Sequence, residues 1–216
     1  MIARADDTEI KMKITKIEKQ KNNSERYNIY ADGKFYTGMG EEELLSLRLK
    51  EGDIIEENVL LAGIKEDEFL RALNKSGQYI GGGRKTQKQV EDYLIKKGFD
   101  EEIISRVIQR LKEYRYIDDA EYARAYIQQN ALKGGQAVKF ALLRRGVDKQ
   151  TIAEALDERN DDCELEGALR AGKAYIKGRS FKDMREARSK LFQALARRGF
   201  DYGIINAAAE SLLKEE

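Results

Sequence analysis

Residues 142–148 read LLRRGVD, two arginines followed by a glycine, an apolar residue and an aspartate. The same phrase is written twice more, as LIKKGFD at 94–100 and LARRGFD at 195–201. Each copy reads as a helix end joined to a helix start. In a Schellman stop the residue after the helix is left-handed, usually glycine, and the apolar residue that follows touches a side chain five positions earlier. Gly98 thus pairs Phe99 with Leu94, Gly146 pairs Val147 with Leu142, and Gly199 pairs Phe200 with Leu195. Asp100, Asp148 and Asp201 suit the N-cap of the next helix, where a carboxylate accepts from orphan backbone N–H groups. The pairs Lys96–Lys97, Arg144–Arg145 and Arg197–Arg198 fall in the last helical turn. Cations there offset the negative end of the helix dipole. Contact with phosphate or an acidic partner is the alternative account of the same residues.

The flanks carry a helical period. Ile103, Ile104, Val107, Ile108 and Leu111 form one stripe; Ile152, Ala155 and Leu156 form a second; Ile204, Ile205, Ala208 and Leu212 form a third. A further helix precedes each pair, marked by Tyr79-Ile80, Tyr126-Ile127 and Tyr175-Ile176. The phrase glycines are 48 and then 53 residues apart, so the period is that of a tandem helical array. The last unit is longer because GRSFKDMREA (178–187) extends its connection or its second helix. The fold expected is mainly α: three tandem three-helix repeats at 64–114, 115–160 and 161–216, stacked into an elongated, curved array. Units so thin are expected to need stacking to supply their core.

Residues 117–127, IDDAEYARAYI, specify a helix start in detail. Asp118 is the expected N-cap and Glu121 its capping-box partner, with Ile117 and Tyr122 as the hydrophobic staple. Tyr122, Ala123, Tyr126 and Ile127 make an apolar stripe, which assigns both tyrosines mainly to packing.

Residues 1–63 differ. Lys13–Lys19, Glu25–Ala31 and Lys34–Gly38 read as short strands, joined by a turn at Asn22, Asn23 and Ser24 and by a two-residue Asp32-Gly33 hairpin. A short helix starts at Glu41 and is broken by Gly52-Asp53. Ten basic and thirteen acidic residues make this β element acidic. It caps the array or offers a separate interaction surface.

Composition agrees. The chain of 216 residues is 37% charged and 41% hydrophobic, with no Pro, His or Trp. The lack of proline removes the strongest helix breaker. One cysteine, Cys163, excludes an internal disulfide, and without histidine neither a His-based nor a cysteine-rich metal site is expected. No apolar run reaches spanning length and MIARADDTEIK has no secretory apolar region, so a cytoplasmic protein is expected. The net charge is only +1, but basic residues cluster. Residues 133–150 hold five basic against one acidic, and 179–199 seven against two.

Catalytic signals are weak. GGGRKT at 81–86 lacks the spacing of a phosphate loop and reads as an inter-helix turn, with Arg84 and Lys85 left as possible phosphate contacts. The commonest general base is absent. Asp118-Asp119 and Asp161-Asp162 sit at helix starts, where capping explains them, and Cys163 has no histidine to activate it. No catalytic residue and no cofactor are expected.

Three units with KKGF (96–99), RRGV (144–147) and RRGF (197–200) stops, and YIDDAEYARAYI (116–127) opening the second, resemble the RecX family of regulators of the RecA recombinase. The resemblance covers about residues 10–213. The β-rich N-terminal element is similar to that of longer members from Gram-positive-type bacteria. MIARADDTE has no counterpart, and YIGGGRKT (79–86) departs from the family's more basic, polar turn. The resemblance implies a non-enzymatic modulator, mostly an inhibitor, acting in DNA repair, recombination and the SOS response. It implies a monomer that binds the groove of the RecA filament on single-stranded DNA. With the two basic stretches it nominates Lys139, Arg144, Arg145, Arg188, Arg197 and Arg198 for the binding face, with Arg84, Lys85, Lys96 and Lys97 as further candidates. Near-neutral total charge predicts modest affinity for DNA alone. The sequence shows no aromatic platform for bases, so contact independent of base sequence is expected. A helical-repeat protein–protein adaptor without a DNA role is the competing reading.

Overall fold

The computed structural model describes residues 10–159 and 161–213. MIARADDTE and the side chain of Asp161 lie outside the described residues. The chain divides into two compact units, one of Met1–Tyr79 with Leu94–Arg110, the other of Ile80–Tyr93 with Leu111–Glu216.

In the first unit, alternating residues of β1 (Lys11–Gln20) turn Met12 and Ile14 inward. A two-residue turn leads to β2 (Asn23–Ala31), and the Asp32-Gly33 turn leads to β3 (Lys34–Gly40). Asp32 and Gly33 both take positive φ, 50° and 80°, as a two-residue hairpin of this type requires. The first turn is tighter than expected: it is Lys21-Asn22 alone, because Asn23 already pairs with Gln20. The helix α1 (Glu41–Ser46) is also shorter than expected. Arg48 takes φ 51°, and the N–H groups of Arg48 and Leu49 return to the carbonyls of Leu45 and Leu44. That is a Schellman stop with arginine in the glycine's place.

Gly52-Asp53 therefore ends no helix. It turns the chain into β4 (Ile54–Glu56), a strand the sequence reading did not foresee. Lys13 pairs with Ile54 and Lys11 with Glu56, giving the antiparallel order β3-β2-β1-β4. Met12, Ile14, Ile29, Ala31 and Met39 from the sheet pack with Leu49 and with Leu60 of α2 (Glu57–Gly81). Later in α2, Phe69 lies under Arg106 of α4 (Glu101–Glu113), whose guanidinium is 4.4 Å from the ring centroid and 2.7 Å from Glu66. Ile103, Ile104, Val107, Ile108 and Leu111 are all buried, as the period predicts.

Between α2 and α4 lies α3 (Gln87–Lys96). Two more triplets follow: α5 (Asp119–Gln129), α6 (Gly135–Leu143) and α7 (Lys149–Asp157), then α8 (Asp161–Ile176), α9 (Met184–Ala196) and α10 (Tyr202–Leu213). The three tandem three-helix repeats are present. In the last repeat both the connection, residues 177–183, and the second helix are lengthened.

All three expected stops form. Gly98, Gly146 and Gly199 take φ of 81°, 81° and 83°, and Phe99, Val147 and Phe200 donate to the carbonyls of Leu94, Leu142 and Leu195. The arginine pairs sit just past the last turn, since α6 ends at Leu143 and α9 at Ala196. A further stop joins α4 to α5, where Arg115 is left-handed (φ 56°) and Tyr116 donates to Leu111. Arginine is strained there. Arg115→Gly should raise the melting temperature, a gain of about 0.5–1 kcal/mol, and Arg115→Val should lower it.

The expectation that stacking supplies the core is corrected for the last two repeats. Ala123, Ile127, Val138, Leu142, Val147, Ile152 and Ala155 form one buried cluster within the second repeat. Ala168, Ala171, Leu191, Leu195, Phe200 and Ile205 belong to another within the third. Three helices of two to four turns enclose an interior of this size without help from a neighbour.

Candidate functional site at the repeat joints

The arginine–glycine stops are where one repeat seats the next. Thr86 precedes α3 as half of a capping box: its N–H donates to Gln89 Oε1 (3.0 Å) and its Oγ1 accepts from Gln89 N–H (3.2 Å). The same hydroxyl donates to the Arg145 carbonyl in the second repeat (2.6 Å). Gln87 N–H donates to Asp119 at the start of α5 (2.8 Å). One repeat later the pattern recurs with different chemistry. Gly134 N–H donates to the Arg198 carbonyl (2.9 Å), and Gln136 N–H to Gly199 (3.2 Å). Gly135 N–H donates to Glu164 of α8 (2.8 Å). In both joints, then, the N-terminus of a second helix is closed by the stop and the acidic first turn of the following repeat. The last repeat has no such neighbour within the described chain, and α9 closes itself. Asp183 accepts from Glu186 N–H, and Glu186 accepts from Lys182 N–H.

Asp118 and Asp119 therefore do different work. Asp118 caps its own helix, accepting from Glu121 N–H (2.8 Å), while Asp119 caps α3. Burial holds the Asp119 carboxyl above the ordinary range, against the opposing pull of the Gln87 N–H. The reciprocal half of the expected capping box is replaced by an ion pair, Glu121 Oε1 lying 2.9 Å from Arg84. Asp148 and Asp201 cap α7 and α10 as expected. The hydrogen bonds that Thr151 donates from its hydroxyl and its N–H hold the Asp148 carboxyl below the usual range. For Asp100 the contact is the backbone carbonyl, which accepts from Ile104 N–H (2.9 Å).

Basic and acidic side chains meet at each joint. At the first, Arg84 and Lys85 stand in the turn before α3, Arg84 paired with Glu121, while the Lys88 stem packs on Gly146 of the next repeat, which follows Arg144 and Arg145. At the second, Lys139 and Arg159 share with Asp157, Glu164, Gly199 and Asp201 an open cavity of about 640 Å³, and Arg197 and Arg198 precede that glycine in the chain. Lys96 and Lys97 belong to the first unit, at the exposed end of α3. Arg188 is on α9, over a separate groove with Met184 and Leu213.

The nominated side chains differ in freedom. Arg145 is engaged: its guanidinium lies 4.7 Å from the Tyr126 centroid and donates to the Ala141 carbonyl (2.8 Å). Tyr126 stacks on Tyr122 against the second repeat's core, the packing role expected of both. Arg144, Arg197 and Arg198 are exposed, and their guanidinium groups form no hydrogen bond or ion pair among the described residues. Lys88 joins the first cluster from outside both basic stretches; its ammonium pairs with Asp92 (2.7 Å). Sequence reading also missed an exposed aromatic pair. Tyr114 and Tyr116 are 63% and 65% exposed, and their rings stack 6.4 Å apart beside the strained Arg115.

Four family models match in chain order: the N-terminal domain of regulatory protein RecX over residues 12–56, and its first, second and third three-helix domains over 72–111, 118–156 and 162–208. Regulatory protein RecX of Clostridioides difficile strain 630 is 33% identical over 203 residues, covering 93% of this chain and 95% of its own. That of Bacillus subtilis strain 168 is 30% identical over 202 residues, covering 92% of this chain and 76% of its own. A crystal structure of regulatory protein RecX superposes with a TM-score of 0.66 at 26% identity, covering 95% of this chain and all of that one. RecX from Lactobacillus salivarius gives 0.62 at 26% identity over 68% of this chain and 97% of that one. Among the described residues no helix is long and apolar enough to cross a membrane. The order of domains, the repeat construction and the relatives agree, and the chain belongs to the RecX family of regulatory proteins.

Proposed function

We propose that this chain regulates the RecA recombinase by binding its filament on single-stranded DNA, slowing ATP hydrolysis and strand exchange. The observation that carries the reading is the iteration of the joint. Two consecutive repeats are seated at the same place, the N-terminus of a second helix against the stop of the following repeat, and each of those stops carries an arginine pair. A filament offers one chemical feature at regular intervals, and a repeated cluster is suited to meet it. In this reading the chain acts as a cytoplasmic monomer without catalytic residue or cofactor. Residues 1–63 are a separate N-terminal element, and 64–114, 115–160 and 161–216 are the repeats. The first boundary then falls within α2, whose start packs on the sheet through Leu60.

Among the nominated residues, Arg144, Arg197 and Arg198 carry the contact best, because their charges are uncommitted. Arg145 contributes through the joint. With a net charge of only +1, affinity for free single-stranded DNA should be weak and salt-sensitive. Titration into recombinase on single-stranded DNA should lower its ATPase rate to a plateau. No change at saturating protein would defeat the proposal and leave the adaptor reading. Replacing Arg144, Arg197 and Arg198 together by glutamine should keep the melting temperature within a few degrees and weaken filament binding about tenfold. If all three meet phosphates, the log–log salt slope should fall by about 2. An unchanged slope would remove these side chains from the interface.

A further inference from the structure

We infer that the turn between α4 and α5 carries a stacking platform for the bases of single-stranded DNA, formed by Tyr114 and Tyr116, with Lys112 and Arg115 as its phosphate contacts. The two rings are 63% and 65% exposed, lie 29° from parallel and have centroids 6.4 Å apart. Every residue from Lys112 to Tyr116 is exposed.

Packing does not account for Tyr116. It follows a left-handed residue in a Schellman stop, where the next side chain normally folds back on the helix. At the other four stops that position is held by Leu49, Phe99, Val147 and Phe200, all buried or half-buried. Tyr116 makes the same backbone bond, its N–H donating to the Leu111 carbonyl, yet its ring stays in solvent. The turn is also strained, since Arg115 holds φ 56° where three of the other stops place glycine. Left-handed residues other than glycine cluster at ligand sites, where the role of the side chain outweighs the strain.

The chemistry around the rings selects the occupant. The side chains of Lys112 and Arg115 form no hydrogen bond or ion pair among the described residues. From Lys112 to Tyr116 the one acid is Glu113, and the Asp118 carboxylate beyond is committed to the Glu121 N–H. Exposed aromatic faces flanked by cations suit a single strand: stacking takes any base, and the cations meet phosphate. A protein hot spot needs the opposite setting, because charged residues are depleted at the core of such interfaces. Stacking is indifferent to base identity, so the platform fits contact independent of base sequence.

The choice of DNA rests on the recombinase reading; the stacking surface does not. Fluorescence anisotropy with labelled strands should show the whole protein binding oligothymidylate about tenfold more tightly than an abasic strand of equal length, which has the phosphates without the bases. Tyr114→Leu and Tyr116→Leu together keep apolar bulk, so the melting temperature should stay within a few degrees of wild type. That double variant should bind the two strands alike, at the wild-type affinity for the abasic one. Arg115→Gly should melt higher than wild type yet bind both strands more weakly, its log–log salt slope falling by about 0.7. A merely structural turn would give the higher melting temperature with no loss of binding. Equal binding of the two strands by wild type, or a preference that survives loss of both tyrosines, would overturn the inference. So would tighter binding of oligouridylate, which would make RNA the occupant. Loss of filament binding in the tyrosine variant, with both strands held as by wild type, would make the pair a protein contact and overturn it too. Wild type that leaves the recombinase ATPase unchanged defeats the regulator reading alone, and the strand comparison still decides the platform.

Discussion

Gly199→Ala should destabilise the last two repeats by at least about 3 kcal/mol, whereas Gly98→Ala should cost only about 1 kcal/mol. The two glycines occupy the same place in the repeated phrase and have nearly the same φ, 83° and 81°. Each alanine therefore suffers the same left-handed strain. They differ in what lies beyond. A Cβ on Gly98 meets nothing within 4 Å, but one on Gly199 stands 2.4 Å from the Ala137 nitrogen and 2.5 Å from its Cβ. Backbone cannot swing aside as a lysine tip can. The start of α6 must retreat, and with it the bonds from Gly134 to Arg198 and from Gln136 to Gly199. Amide exchange at Gly134 and Gln136 gives a local readout. Gly199→Ala should speed both strongly and lower the melting temperature by on the order of 10 °C. Gly98→Ala should leave both amides protected. Equal effects would mean that the glycines serve only the helix stop and that the joint has no special need of the second.

The contrast shows why part of this fold is legible in the sequence and part is not. A Schellman stop is local: glycine, an apolar residue after it and another five back suffice, so Gly98, Gly146 and Gly199 are readable. Arg48 and Arg115 end helices the same way, but nothing in an arginine announces a left-handed backbone. The three residues of β4 show no alternation, and they are a strand only because β1 offers them an edge. The joint is harder still. Thr86 and Gly134 share no chemistry: one donates from a hydroxyl and the other from its backbone, to carbonyls 59 and 64 residues away. Only the fold shows that they do the same work. The Thr86–Gln89 capping box, by contrast, has a sequence signature, TQKQ at 86–89, that a close reading could have found.

The candidate site divides along the same line. Clusters at 133–150 and 179–199 stand out because charge can be counted along a chain. That Arg145 is bound while Arg144 is free depends on the position of the Tyr126 ring, one helix away. Glu43 is one of three consecutive glutamates opening α1, which a sequence reader takes as a solvated first turn. Its burial is set by Gly63 on α2, which has no side chain to hold the two helices apart.

Arg26→Met should destabilise the N-terminal unit by about 3–5 kcal/mol, because it breaks a buried ion pair from one side. The Arg26 guanidinium is bidentate to Asp67, at 3.1 and 2.9 Å, and also donates to the Gly38 carbonyl at 2.6 Å. The two side chains are only 16% and 8% exposed. Asp67 in turn accepts from Gly40 N–H at 2.8 Å, which fixes the passage from β3 into α1. Methionine replaces most of the stem's volume, so the loss comes from charge. Asp67 would be left in a shielded place with one N–H as partner and Glu43 as an acidic neighbour. Adding Asp67→Asn to the same chain keeps an acceptor for Gly40 and removes the stranded charge. The double variant should recover much of the loss, and this recovery separates an electrostatic penalty from a packing one. Arg26→Lys should fall between, since an ammonium cannot span both carboxylate oxygens in the same fork. Far-UV circular dichroism of the sheet and protease sensitivity across residues 20–50 report on this unit without involving the later repeats. A single Arg26→Met variant as stable as the double would show that Asp67 finds another partner on its own, and the pair would then be an incidental contact and not the clamp that seats β2 and β3 on α2.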